Sequence, residues 1–397
     1  MSYQVGTATD YSDLLDQLDT FLTSQGMTLS PSYAGTGNGT IAGLIGGSAS
    51  VAETFTIAFT SATAFTVTGS ITGALAGGTA GVAYSTTHIK FTITAGGTAF
   101  IAGDTFTVAT TPPWTSKRRA SGDQMIWQAP GNGNLDQILV GAKLFSNVTG
   151  DYYNWRLAGY TAFSSGLDFE HQPGYVGGVG QQFPSPVFNL WNSTIPYWFV
   201  GNGRRVIVVA KISTVYVSCY LGFIDSYMSP GAFPYPLAVG GSMTWDAGLS
   251  SGEPGATSTS WRWSYVGNEL RNYPESRTTG LGNAAGAQMR LRLPSGTWQG
   301  FNANNTESVF GRIWPTCEGH SAGMQDWRPN LDGGYSILPI VLFDQTINVY
   351  GELDGVGCVT GFGQSAENTI TIGSDIWVVI QDVNRTTKID YFAVKLT

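Results

Sequence analysis

The chain is poor in charge. Only 12% of its 397 residues are Asp, Glu, Lys or Arg, about half the share usual in a soluble domain. The balance is acidic, with a formal net charge of −8. That argues against nucleic acid as the main partner, because phosphate binding needs a basic surface. The basic cluster Lys117-Arg118-Arg119 is too short to change this and reads as a solvated turn at a domain junction. No opening stretch has the charged start and apolar core of a secretory signal, and no run of about 18 apolar residues exists to span a membrane. These absences predict a chain that stays soluble where it is made. Cysteine is also scarce: Cys219, Cys317 and Cys358 are odd in number and far apart, so no disulfide framework is expected. The three histidines, His88, His171 and His320, fall in no metal-binding spacing, and no cofactor is expected.

What the chain has in abundance is glycine (53 residues) and aromatics (13%), with many Thr and Ser. Gly-rich turns between β-branched and aromatic runs point to an all-β protein. The clearest stretch is 191–224. Residues 197–200 form a short apolar run, and Gly201-Asn202-Gly203 is a turn tolerant of positive φ. Residues 206–210 (VIVVA) read as a strand buried on both faces, and Val215, Val217, Cys219, Leu221 and Phe223 alternate with a mixed face. Three strands in series of this quality predict a core. Cys219, on the apolar face, is expected to be a buried thiol.

Along the chain, residues 10–25 carry a helical pattern. Asp10 is a plausible N-cap, Asp13 suits the positive end of the dipole, and Leu14, Leu15, Leu18, Phe21 and Leu22 share one face before Gly26 stops the helix. Residues 27–29 read as a companion strand, and 33–50 as a Gly/Ser/Thr loop or linker. Four Phe-Thr-aliphatic segments, at 54–57, 64–67, 90–93 and 105–108, describe strands with one wet face, hence a small sandwich. Pro112-Pro113 ends it. From there strand signals recur at 137–140, 152–157, 289–293, 337–343, 376–380 and 391–396, interrupted by long loops at 172–187, 228–236, 246–260 and 279–286. The expected organisation is an N-terminal helical docking segment (1–35), a small Thr/Gly-rich β-sandwich module (36–112) and a large antiparallel jelly-roll or lectin-like β-sandwich (113–397).

Signals for catalysis are weak. Cys317-Glu318-Gly319-His320 gathers a thiol, a carboxylate and an imidazole, but a metal would need a fourth ligand and a Cys–His nucleophile needs better geometry than one loop gives. Asp168 and Glu170 flank Phe169 as two carboxylates on one strand face, without the cleft a glycosidase needs. No phosphate-binding loop, nucleophile elbow or dinucleotide fingerprint is present. No enzyme is predicted. The other chemistry is aromatic: Trp245, Trp261, Trp263, Trp298, Trp314 and Trp327 lie in the loop-rich C-terminal half. Core packing accounts for most buried Trp, but indoles on loops also stack on sugars or anchor subunits.

Four segments carry a resemblance: GTATDYSDLLDQLDTFLT (6–23), TAFIAGDTFTVATTPPW (98–114), DYYNWRLAGYTAF (151–163) and WNSTIPYWFVGNGRRVIVVAKIS (191–213). With the closing YFAVKL, the chain over most of its length resembles virion structural proteins of tailed double-stranded DNA bacteriophages. The resemblance implies a protein present in several copies at the tail, at the baseplate, tail tip or fibre-attachment region, with a neck or collar position as the alternative. It brings no catalytic residues. Its implied partners are other copies of itself and other tail proteins, in a particle assembled in the host cytoplasm, where reduced cysteines are expected. On that view Leu14, Leu18, Phe21 and Leu22 form a docking face, either for a neighbour or against the chain's own sandwich. Trp245, Trp261, Trp263, Trp314 and Trp327 are candidates for subunit contact or for host surface glycan.

Overall fold

Alternation and turn chemistry dominate the sequence, and the structure follows them: strands in several antiparallel sheets, with one α-helix near the start among the described residues. The computed structural model describes residues 2–24, 28–46, 53–111, 114–129, 131, 138–149, 152–176, 185–241, 243–244, 289–302, 311–314, 333–344, 348–381 and 391–397. Two compact units are present: Thr20–Thr115, and Met1–Asp19 together with Ser116–Thr397. The first residues therefore group with the large C-terminal region, and the division falls inside the helix Tyr11–Ser24.

The smaller unit is a sandwich of a five-stranded and a three-stranded sheet. The five strands run Thr28–Ala34, Thr105–Thr111, Thr54–Phe59, Ala64–Gly69 and Gly73–Thr79; the three are Thr40–Gly46, Ile89–Thr94 and Ala83–Ser85. Strict period-two burial in TFTIAF, AFTVTG and IKFTIT sends Phe55, Ile57, Phe59, Phe65, Val67, Ile89, Phe91 and Ile93 inward and the threonines out. The stretch 33–50, read as a loop or linker, holds the strand Thr40–Gly46 and the last residues of Thr28–Ala34. Thr40–Gly46 escaped the alternation rule for a physical reason. A bulge between Ala42 and Ile45, with Gly43 at φ +64°, shifts the phase, so Ile41 and Leu44 face the core three residues apart.

Asp104 ties this unit together. Its carboxylate accepts backbone N–H bonds from Thr36 (2.8 Å), Gly37 (2.9 Å) and Ile101 (3.1 Å) and the Tyr33 hydroxyl (2.9 Å). The Thr36 amide above all, with those of Gly37 and Ile101, holds its pKa down to about 2 from an ordinary 3.8, against the opposing effect of burial. A depressed carboxylate stabilises the fold above its unfolded pKa and loses that contribution as pH falls through its folded one. Thermal melts followed on the smaller unit should therefore lose stability between about pH 4 and pH 2. Asp104→Asn should flatten that segment of the profile. An unchanged slope in the variant would assign the acid sensitivity elsewhere.

The larger unit is built from a 14-stranded sheet and a six-stranded sheet. The long sheet starts with Ser2–Ala8, Ile195–Gly201, Arg205–Ile212, Val215–Phe223 and Leu237–Gly240, and continues through Met289–Arg292 and Trp298–Asn302. It ends with Gly311–Trp314, Leu338–Phe343, Val349–Cys358, Tyr391–Lys395, Asp375–Gln381 and Thr369–Ile372, and the short Asp225–Ser226 pairs off this path with Val349–Cys358 as the fourteenth strand. The pairing of Trp298–Asn302 with Gly311–Trp314 is parallel, a departure from the antiparallel expectation. The two limbs of this sheet share one core, with Trp198, Val200, Ile207, Val209 and Tyr220 from one and Leu342, Val356, Val378, Ile380 and Phe392 from the other. The sheet is thus curled over onto itself.

The six-stranded sheet, Thr115–Ala120, Gln124–Ala129, Ile138–Asn147, Tyr152–Tyr160, Pro186–Leu190 and Met243–Thr244, packs on the outer face of the first limb. Arg205–Ile212 and Val215–Phe223 therefore lie between two layers. Every residue from Val206 to Ala210 is fully buried, which is why VIVVA carries no alternation. Cys219 and Cys358 are buried thiols.

Candidate functional site

The N-terminal segment was expected to carry the docking face, and it is the place to begin. Asp10 caps the helix through its Oδ1, which accepts the Ser12 and Asp13 amides at 2.8 and 2.9 Å. The apolar face then turns inward: Leu14, Leu18, Phe21 and Leu22 are all buried within the chain. The polar face is pinned as well. Trp127 Nε1 donates to Asp19 Oδ1 at 2.8 Å, Arg119 pairs with Asp19 Oδ2 at 3.0 Å, and Trp155 Nε1 donates to the Tyr11 carbonyl at 2.8 Å. Those four apolar residues cover the chain's own interior and offer no exposed surface to a neighbour.

The exposed element is the strand just before the helix. Ser2–Ala8 pairs along all seven residues with Ile195–Gly201 and is the last strand on that side of the long sheet. No described strand covers its other edge. Its inner face is fixed by Gln4, which donates to the Tyr197 hydroxyl at 2.7 Å, and by Gly6, where a Cβ would lie 2.4 Å from that oxygen. Its other face carries Tyr3 and Val5, which stand opposite the core residues Val200 and Trp198 and are 46% and 54% exposed. The core face of the sheet therefore runs out onto an uncovered apolar edge. The period-two signal Tyr3/Val5 against Gln4/Gly6 was present in the sequence, but it is short and abuts the stronger helical period.

A second concentration of polar groups lies on the outer face of the six-stranded sheet. Lys143 and Arg156 stand directly opposite each other on neighbouring strands. That placement of like charges is unfavourable alone. Glu170 resolves it: its Oε1 accepts from Lys143 at 2.9 Å and from Arg156 at 3.0 Å. Partial burial raises the Glu170 pKa, but the Lys143 hydrogen bond and the charges of Lys143 and Arg156 outweigh it and leave the carboxyl below its ordinary value. Under this group sit Phe169, Tyr160 and Tyr175, packed on Ile126, Leu139 and Ala158. Burial pushes both phenols up.

The strand expected to present Asp168 and Glu170 side by side is instead a short 3₁₀ turn, Phe169–His171, with Asp168 exposed and Glu170 drawn down to the two cations. Bound to both cations, Glu170 clamps the 161–176 loop onto the strands Ile138–Asn147 and Tyr152–Tyr160. Among the described residues no group of three or more His, Cys, Asp or Glu is placed to hold a metal ion. Among them, too, no helix is long and apolar enough to cross a membrane, which says nothing of membrane-spanning strands.

Trp245, Trp261, Trp263 and Trp327, and the Cys317–His320 cluster, lie outside the described residues. Trp314 is on the strand Gly311–Trp314, with its backbone opposite Val341, and its side chain is outside the description. Trp298 is half-buried and donates through Nε1 to the Gly174 carbonyl at 3.0 Å, so it secures the loop after Tyr160.

No protein-family model matches the chain, and no curated protein sequence matches it. Among solved structures, two crystal forms of Xanthomonas campestris FlgL align at 20% identity over 23% of this chain and 31% of theirs, with TM-scores of 0.19 and 0.18. The chain thus spans less than a third of the length of those structures, and the likeness is too slight to bear on its fold or role.

Proposed function

We propose that this chain is a structural component of a bacteriophage tail, at the baseplate, tail tip or fibre-attachment region, assembled in several copies with other tail proteins and without catalytic turnover. The structural observation that supports it most directly is the uncovered edge Ser2–Ala8, an uncharged strand with Tyr3 and Val5 exposed, on a sheet that is otherwise densely packed. Free edges of that kind are normally guarded in monomeric proteins. The sequence resemblance supplies the setting, and the Lys143–Glu170–Arg156 clamp reads as structural rather than catalytic.

Purified particles test the proposal. Quantitative mass spectrometry should find the chain in several copies per particle, and cryo-electron microscopy should trace it in tail density with Ser2–Ala8 against another subunit. A particle that lacks the chain would refute the reading.

A further inference from the structure

We propose that Ser2–Ala8 pairs with the same strand of a second copy of this chain, antiparallel about a two-fold axis at Val5, so that the two long sheets become continuous. The inference rests on the assembly reading of that edge and names its partner. Three observations lead to it.

The first is the absence of any guard. Exposed edges in monomers usually carry Lys, Pro, a bulge or an inward charge. SYQVGTA has no charge and no proline, and its pairing with Ile195–Gly201 runs without a register shift. Two copies of a chain with net charge −8 can therefore meet here without setting like charges opposite each other.

The second is the exposed apolar pair. Tyr3 and Val5 extend the face that holds Trp198 and Val200, and both stand in the open beside the exposed Thr7. A strand added alongside would cover both, and would supply partners for backbone groups that no described strand engages.

The third selects the second copy over an unrelated strand. An antiparallel pair centred on Val5 sets Val5 against Val5, Tyr3 against Thr7 and Gln4 against Gly6. On each face the larger side chain meets a smaller one, and at the axis two valines meet. The strand is thus complementary to itself in the register that an isologous interface requires.

Sedimentation velocity on the full chain over a wide concentration range tests the pairing. The wild type should form a dimer, and Val5→Lys should weaken association at least tenfold while leaving the far-UV circular dichroism spectrum unchanged, since Val5 is largely exposed. Thr7→Arg provides a second variant on the same face. Under mild oxidation Val5→Cys should give a disulfide-linked dimer, because residues opposite each other on antiparallel strands have Cα atoms about 4.5–5.5 Å apart, within disulfide range. Val82→Cys, exposed in the smaller unit, should not. A monomer at every concentration, or association indifferent to Val5→Lys and Thr7→Arg, overturns the inference. So does association that Val5→Lys weakens but Val5→Cys fails to trap, which would mean that another segment occupies the edge. A chain found in the particle yet monomeric in solution would overturn the pairing and leave the tail assignment standing.

Discussion

Asp354→Ala should destabilise the larger unit by about 3–5 kcal/mol, the usual consequence of removing one partner from a buried ion pair. Arg205 is completely buried, on the strand Arg205–Ile212 between two sheet layers. Its guanidinium lies 3.2 Å from Asp354 Oδ2 and donates to the Val200 carbonyl, also at 3.2 Å. Asn202 braces both sides of the pair: its Nδ2 donates to Asp354 at 2.8 Å, and its Oδ1 accepts the Arg205 amide at 2.9 Å. Without Asp354 the cation stays in the interior and loses its counter-charge. For a unit of this size the loss corresponds to a fall in melting temperature of roughly 5–8 °C. The double variant Arg205→Met with Asp354→Ala should recover most of it, since a well-packed apolar replacement of a buried pair is often close to neutral. A single-variant loss below about 1 kcal/mol would mean that water reaches the guanidinium and the pair behaves as a surface one.

The same pair explains a nearby glycine. Gly355 has φ +74°, and a Cβ there would lie 2.1 Å from Arg205 Nη2. The backbone after Asp354 therefore turns through the left-handed region where the guanidinium leaves no room for a side chain. This pair joins the first limb of the long sheet to Val349–Cys358 on the second, so the electrostatics and the curl of the sheet are one feature.

Those long-range links mark where the sequence stops being legible. The strands from Ile195 to Phe223 were readable because each is a run of apolar or alternating residues bounded by a turn. The Phe-Thr segments of the small sandwich were readable for the same reason. Sheet order was not, since nothing local in DIWVVIQ or YFAVK says that they lie edge to edge or that their face closes on Ile207 and Val209. Strands with a bulge or many glycines, such as Thr40–Gly46 and Gly73–Thr79, dilute the period-two signal below notice. At the N-terminus the helix was legible, but amphipathicity cannot say what covers an apolar face. Leu14 and Leu18 prove to be interior, and the seven residues before the helix hold the exposed edge.

Phe59→Ala should have a comparable effect on the smaller unit, about 3–5 kcal/mol, the range for removing a large aromatic from a packed core. Phe59 is 2% exposed and stacks on Phe100 with ring centroids 4.0 Å apart and planes 19° from parallel. Phe65 meets its edge at 5.6 Å, and Phe106 lies beyond at 6.5 Å. The backbone of Phe59 is held too: its amide donates to the Asp104 carbonyl at 2.8 Å, and its carbonyl accepts the Gly103 amide at 2.9 Å. With both ends of the residue fixed, the strand cannot move inward to fill the space a truncated side chain leaves. That places the expected loss toward the upper part of the range, because the cost rises with the cavity that remains. In a unit of about a hundred residues the melting temperature should drop by at least ~12 °C. Amide exchange on Phe55, Phe65 and Phe106 should accelerate together, since these residues share one core with Phe59. Phe59→Leu should lose much less, because it keeps most of the volume. If alanine and leucine were equally mild, the ring stack would be an incidental contact and the sandwich would be held by its hydrogen-bonded ladders and the Asp104 knot.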